Sequence, residues 1–407
     1  MAARQSSLHL TGKWLIALLT TLVAIGPMTI SFYVPSMPSI AESLQAPIGA
    51  VQATMTTYLI GFALAQLIYG PLSDRFGRRP VLTVGLLIYL AASVLCATAT
   101  SIEQLQAMRM LQGFGACCGP ILGRAIVRDL FDGAAMARAF AIIGAAVAVG
   151  PAVAPMMGGL VQEAFGWPAN FLAVAIIGAA VLLLVLVFLG ESNINLNLDA
   201  ARPRAVLRNY FSLVTNRTFM GYVLVNALIF SGVFAYHVTS AFLFIAELGL
   251  RPSQFALIAL VTVPAYVSGN FLSNRLRMRG MKGRQLIGIG VTCTLTGAAV
   301  VGILADDLSL IRVLGPMMLY FFGFGMVLPQ GIAGALQPFP RIAGSASASM
   351  GCIQMFSGAV SSVVAAGLYH GNGAHALGWV LLAVTMAAGL IFFTMVPVEA
   401  DPDEPHH

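Results

Sequence analysis

Charge is scarce in this chain: only 9% of its 407 residues are Asp, Glu, Lys or Arg, and 15 are acids. Long polar stretches are scarce too, residues 191–217 being the longest. No segment is therefore long enough to hold a soluble catalytic domain. The G-x-x-x-x-G-K-[ST], H-E-x-x-H and G-x-S-x-G patterns are missing, so a nucleotide-driven pump or a membrane hydrolase lacks its usual machinery. Cysteine is sparse and odd in number. Cys96, Cys117, Cys118, Cys293 and Cys352 fall within apolar runs with no ligand spacing, so no metal site and no cofactor is expected. Adjacent Cys117 and Cys118 point to different sides of a helix, which disfavours a bond between them.

What the chain has is hydrocarbon. Its composition is 58% hydrophobic and its mean hydropathy is +0.88, against roughly 45–50% apolar residues in a soluble domain. A bilayer core needs roughly 20 apolar residues per crossing. The runs that qualify are 13–34, 50–71, 80–99, 103–127, 138–162, 168–190, 219–246, 254–274, 285–305, 310–332, 343–368 and 376–396. The first run is of spanning length and leads into YVPSMP rather than a small-residue cleavage site, so it reads as a retained span, not a signal peptide.

An even number of spans puts both termini on one side. Seventeen of the 21 Lys and Arg fall on that side, while the opposite loops offer Arg251, with Arg312 at a span edge. The positive-inside rule makes the rich side cytoplasmic. The net charge of +6 then reflects contact with anionic lipid and is no sign of nucleic acid.

Residues 191–217 divide six runs from six, which predicts an N-terminal bundle over 1–190, a cytoplasmic linker over 191–217 and a C-terminal bundle over 218–407. Leu72-Ser73-Asp74-Arg75 after the second run reappears as Leu272-Ser273-Asn274-Arg275 after the eighth, an offset of 200 residues. The expected fold is all-α, twelve spans in two pseudo-symmetric six-helix halves, with a substrate site between them near the midplane.

Several stretches carry more than hydropathy. GPLSDRFGRRP (Gly70 to Pro80) concentrates Asp74, Arg75, Arg78 and Arg79 in one short turn, where Gly70 and Gly77 permit tight backbone geometry. Arg109 in RMLQGFGA lies inside the fourth span, where an ionisable group is costly and functional by default. VGPAVAPMMGG (Val149 to Gly159) loads the fifth span with small residues and prolines, which allow close approach and bending. Tyr33, Tyr58, Phe62, Gln66, Gln112, Phe230, Phe234, Tyr236 and Tyr266 supply the aromatic and amide surface that suits amphiphilic ligands. His237, toward the outer end of the seventh run, reads as an interfacial histidine able to titrate.

GPLSDRFGRRP resembles the signature turn of the major facilitator superfamily. RMLQGFGA resembles the arginine motif of its drug/proton antiporter branch, and VGPAVAPMMGG that branch's glycine-proline motif. FYVPSMPSI, the context Thr56 to Pro80 and RAIVRDLF (Arg124 to Phe131) are similar to the bicyclomycin and chloramphenicol resistance (Bcr/CflA) group. The resemblance implies secondary-active efflux of small amphiphilic drugs by alternating access in exchange for protons, not enzymatic chemistry. A metabolite or amino-acid-derivative exporter of the same fold is the alternative, and the fold usually works as a monomer. It implies that Gly70, Asp74, Arg75, Gly77, Arg78 and Arg79 form a conformational switch latching the halves. Gly150, Pro151, Gly158 and Gly159 would form a kinked seal, and Arg109 would serve substrate binding and coupling.

One departure bears on mechanism. Relatives commonly carry an aspartate just before the tyrosine of the first span, where this chain has Ser31. None of its fifteen acids sits at mid-depth in a span, whereas proton exchange ordinarily uses a buried group titrating near ambient pH. The sequence leaves three routes open. A proton could move near Arg109 through hydroxyls and water, on a peripheral acid such as Asp129 or Glu247, or on His237. Alternatively the substrate brings its own titratable group, or transport is not proton-coupled.

Overall fold

The computed structural model describes residues 12–194, 196, 203–305, 309–369 and 373–397. Among them every regular element is a helix. In chain order these are α1 (Lys13–Ser43), α2 (Ile48–Phe76), α3 (Arg78–Ala97), α4 (Ile102–Leu130), α5 (Gly133–Phe165), α6 (Trp167–Phe188) and α7 (Pro203–Val214), followed by α8 (Arg217–Glu247), α9 (Pro252–Met278), α10 (Gly283–Ile303), α11 (Leu310–Leu336), α12 (Ala343–Leu368) and α13 (Gly373–Met395). Eleven are individually long and apolar enough to span a bilayer. α5 makes the twelfth when its two arms, Gly133–Val147 and Ala152–Phe165, are counted together across a 41° bend. This is a multi-pass membrane protein.

The helix ends follow local chemistry. Ser101, Asn216 and Ser309 each accept a backbone N–H in the first turn of α4, α8 and α11, satisfying donors that a helix start leaves unpaired. α4 is interrupted for one residue at Cys117, just before Pro120, which has no N–H to give. The last turn of α8, Phe242–Glu247, widens to a π-helix.

Turns at 77, 131–132, 189–194, 215–216, 279–282 and 337–342 lie on one face, here the linker face; those near 44–47, 98–101, 166 and 248–251 lie on the distal face. α1–α6 pack mainly with one another, as do α8–α13. The two groups share a device. In the first, a Cβ on Gly61 would overlap the Met110 carbonyl, and one on Gly113 the Tyr58 carbonyl. In the second, a Cβ on Gly269 would overlap the Phe322 carbonyl, and one on Gly325 the Tyr266 carbonyl. α2 is thus seated on α4, and α9 on α11, by reciprocal glycine-to-carbonyl contact. Ser73 and Ser273, the matched serines of the sequence repeat, are both fully buried.

Between the groups, α2 runs along α12, with Gln66 against Gly351. At the distal face α5 meets α9. Described hydrogen bonds between the groups sit there: Gln52 Nε2 donates to the Val238 carbonyl at 3.0 Å, and Ser253 N and Oγ donate to Glu163 Oε1 at 3.0 and 2.7 Å.

The stretch read as a plain polar linker contains α7. Its Val206, Tyr210 and Leu213 turn toward the protein while Leu207 and Phe211 are exposed. The Tyr210 hydroxyl donates to the Leu67 carbonyl of α2 at 3.0 Å.

Candidate functional site

Arg109 is fully buried inside the first group of helices. Its guanidinium carbon lies 4.3 Å from the ring centroid of Tyr33 on α1 and 4.3 Å from that of Tyr58 on α2, with Phe171 of α6 at 5.9 Å. Two aromatic faces thus attend a charge that the membrane interior would otherwise reject, since ring quadrupoles attract a desolvated cation. Gly113 makes the arrangement possible, because without its bare backbone α4 could not approach the Tyr58 carbonyl.

Hydrogen bonds lead away from the cation through neutral groups. Nη1 donates to Gln112 Oε1 at 2.6 Å, one turn on along the same face of α4. Gln112 Nε2 donates to Ser93 Oγ at 2.8 Å, and Ser93 Oγ to the Tyr89 carbonyl at 2.7 Å. The Tyr89 hydroxyl pairs with Thr29 Oγ1 at 2.7 Å. Tyr58 OH donates to the Gly26 carbonyl at 3.1 Å, and the Tyr33 hydroxyl pairs with Thr54. Among the described residues, Arg109 Nε and Nη2 have no hydrogen-bond partner, and no carboxylate forms an ion pair with it. A narrow crevice lined by Thr29, Phe32, Tyr33, Asn170, Phe171 and Val174 borders the cage, and it has no room for a water molecule.

The sequence-derived residues separate into distinct places. Tyr33, Tyr58, Arg109 and Gln112 come together in this cage. Ser31 is buried but, two residues before Tyr33, points about 200° away around α1. Phe62 stacks one turn from Tyr58, ring centroids 6.2 Å apart, and fills the space beside Gly26. Gln66 faces Gly351 across the group boundary. Phe230, Phe234 and Tyr266 form a second cluster around Phe324, at centroid distances of 5.1 Å (Phe230–Phe234), 5.8 Å (Phe230–Phe324) and 5.1 Å (Tyr266–Phe324). Tyr236 stands outside it, packed on Phe321 at 5.6 Å. His237 bonds through Nδ1 to the Val233 carbonyl at 2.7 Å.

In the turn after α2, Gly77 has φ +96°, a left-handed conformation, and a Cβ there would meet the Glu191 carboxylate. Glu191, which the sequence reading did not single out, accepts the backbone N–H groups of Arg78 (2.9 Å) and Arg79 (3.1 Å) and so caps α3. Arg78 bridges Asp74 at 2.5 Å and Asp129 at 3.0 Å, and donates to Ser73 Oγ at 2.6 Å. Arg79 reaches the Leu186 carbonyl at 2.7 Å. Arg75 is exposed, with its guanidinium 5.0 Å from the Phe76 ring centroid, and a Cβ on Gly70 would meet nothing. The described polar partners of this turn thus belong to the first group and the residues just after α6, Ser192 and Asn193 included.

In α5, Gly158 lies against the Phe32 carbonyl and Gly159 against the Pro252 carbonyl, while Gly150 approaches Met28. Pro151 lies at the bend; its side chain is outside the described residues. No group of three or more metal-ligating side chains occurs among the described residues.

A sequence profile of the Major Facilitator Superfamily matches residues 19–362. The chain belongs to the Major Facilitator Superfamily. Within that superfamily it is similar to multidrug resistance protein D of Escherichia coli, 32% identical over 387 residues covering 94% of this chain and 95% of the relative. It is also similar to a bicyclomycin resistance protein homolog of Haemophilus influenzae, 26% identical over 87% of this chain and 89% of that one. Among solved superfamily structures, the nucleoside transporter NupG superposes with a TM-score of 0.75 at 14% identity, over 94% of this chain and 98% of that one. A D-xylose–proton symporter gives 0.74 at 17%, with the same coverage. Family and fold make the chain a transporter, not an enzyme.

A second arginine on α4 has a different setting from Arg109. Arg124 is solvent-exposed, on the same face of α4 as Cys117. Its Nε donates to the Pro120 carbonyl at 2.7 Å. It lies two turns beyond Cys117, which is within electrostatic range of Cys352 on α12, and about 9 Å in from the linker-face end of α4 by helix rise.

Proposed function

We propose that this protein exports small amphiphilic drugs from the cytoplasm across the bacterial inner membrane, through rocking of residues 1–190 against 218–407 about the intervening linker. The observation that carries the reading is full-length similarity to a multidrug resistance protein, together with a solvent-exposed guanidinium at Arg124 on the α4 face that carries Cys117. Charge bias supports a cytoplasmic linker face and cytoplasmic termini. The bonds of Gln52 and Glu163 across the distal face, with the described partners of the Asp74 turn confined to its own group and the residues just after α6, fit a state closed outward and open inward. Asp74 would then engage the second group only in the opposite state.

Proton exchange is the coupling that the superfamily resemblance implies, with the Arg109–Gln112–Ser93 relay as its route. A specific observation favours a second reading, in which no proton is exchanged: Arg109 has no carboxylate beside it among the described residues, and hydroxyls and amides do not hold a titrating proton near neutral pH.

Everted membrane vesicles test both. Accumulation of a labelled chloramphenicol-like compound, with dequenching of a pH-gradient dye that is lost in Arg109→Ala, would establish proton exchange. Accumulation without dequenching would establish the second reading. If none of a panel of amphiphiles accumulates, drug efflux is wrong and metabolite export becomes the reading to pursue.

A further inference from the structure

Acids and bases are distributed unequally with depth. Glu42, Asp74, Glu103, Asp129, Glu163 and Glu247, the acids within spans, each lie within one turn of a span end. Deeper than one turn, the side chains that carry a full charge at neutral pH are Arg109, Arg124 and Arg138, all bases. Asp74 and Asp129 share Arg78 at the linker-face end, away from mid-depth. Arg109 is shielded by rings rather than by an opposite charge, and rings do not cancel a monopole, so its field reaches into a low-dielectric interior. Arg124 is exposed to solvent on the α4 face that carries Cys117, with one N–H spent on the Pro120 carbonyl, and among the described residues no carboxylate forms an ion pair with it.

A lipophilic cation entering between the two groups at Arg124 meets repulsion, with no acid at mid-depth among the described residues to receive it. An amphiphile carrying a carboxylate meets a guanidinium whose planar fork matches it. We infer that the transported class is amphiphilic weak acids, recognised as anions by Arg124 in the positive field of Arg109. This deepens, and rests on, the efflux reading above.

The inference also accounts for the missing mid-depth acid. Expelling an anion from a cell with a negative interior is downhill: one charge in a potential of 100 mV supports roughly a fifty-fold gradient. A transporter of anions has no need to carry a proton inward. The substrate's own charge supplies the coupling, and the protein has only to stabilise that charge at depth.

The test uses two xanthene dyes of the same ring system, one an anionic carboxylate and one a cationic ester, with an uncharged chloramphenicol-like compound as reference. Purified protein in phosphatidylcholine vesicles is titrated by fluorescence anisotropy, and uptake is followed in everted vesicles at potentials clamped with valinomycin and potassium. The anion should bind roughly ten-fold more tightly than the cation, and a lumen-positive potential should speed its uptake. Arg124→Gln should level the two dyes while Arg124→Lys keeps the order, which separates lost charge from lost folding. Equal or tighter binding of the cation to the native protein, or anion uptake indifferent to potential, would overturn the inference. If the uncharged compound is then still transported, the efflux reading survives that failure. If no compound of any charge accumulates, both fall.

Discussion

Ser253 closes the distal face by giving two hydrogen bonds to one oxygen of Glu163, from its backbone N–H at 3.0 Å and its hydroxyl at 2.7 Å. The pair ties α5 to α9, directly beside the contact of Gly159 with the Pro252 carbonyl. A charged acceptor strengthens both bonds, and exposure to water weakens them again. Glu163→Gln should therefore shift the equilibrium toward a distal-open state by a few-fold, roughly 1 kcal/mol. Electron-spin distance measurements between labels on the distal ends of α5 and α9 would read the change. An unaltered distance distribution would show that the glycine packing and the Gln52–Val238 bond hold this face without Glu163.

Arg109 permits a sharper separation of stability from function. Replacing a buried, unpaired charge with a well-fitting apolar side chain is often neutral or stabilising. Arg109→Met should keep or raise the melting temperature yet abolish substrate accumulation in everted vesicles. Arg109→Lys should lose most transport as well, because a compact ammonium cannot stack flat between Tyr33 and Tyr58. Full transport by Arg109→Met would reduce the cage to a packing motif.

Glu191 is expected to govern the signature turn. Its carboxylate caps α3 through two backbone N–H groups, and loss of such a cap typically costs about 1 kcal/mol. Glu191→Ala should lower the melting temperature by a few degrees. It should also make the linker-face end of α3 more open to hydrogen exchange. Gly77→Ala should cost more, since it adds backbone strain at φ +96° to a clash with the same carboxylate.

Tyr210 lies outside the spans, and burial pushes its phenol up to about 12. A phenol with a raised pKa stays protonated, and so remains a donor to Leu67, through the whole physiological range. Tyr210→Phe should weaken the seating of α7 by about 1 kcal/mol, visible as faster proteolysis of the linker. That susceptibility in the native protein should stay flat with pH up to about 10.

Much of the molecule was legible because the bilayer imposes a simple rule of length and apolarity. The long apolar helices are where hydropathy puts the runs, and Arg109 stood out as a charge in the wrong solvent. What hydropathy does not encode is which helix faces meet. Phe234 and Tyr236 are two residues apart, yet one joins Phe230 and the other packs on Phe321, because neighbours at that spacing leave a helix in nearly opposite directions. Glu191 was missed because its partners lie more than a hundred residues away along the chain. α7 carried its own signal, Val206, Tyr210 and Leu213 at helical spacing, but polar neighbours masked it.

The reciprocal glycine contacts have a mechanical consequence. A backbone resting on a backbone has no side chain to yield, so α2 with α4, and α9 with α11, behave as two stiff beams. Compliance must then lie elsewhere, and it is unevenly shared: α5 carries a 41° bend between its arms, whereas α12, beside α2, runs as one unbroken helix from Ala343 to Leu368. Of the two jaws, one holds the spring.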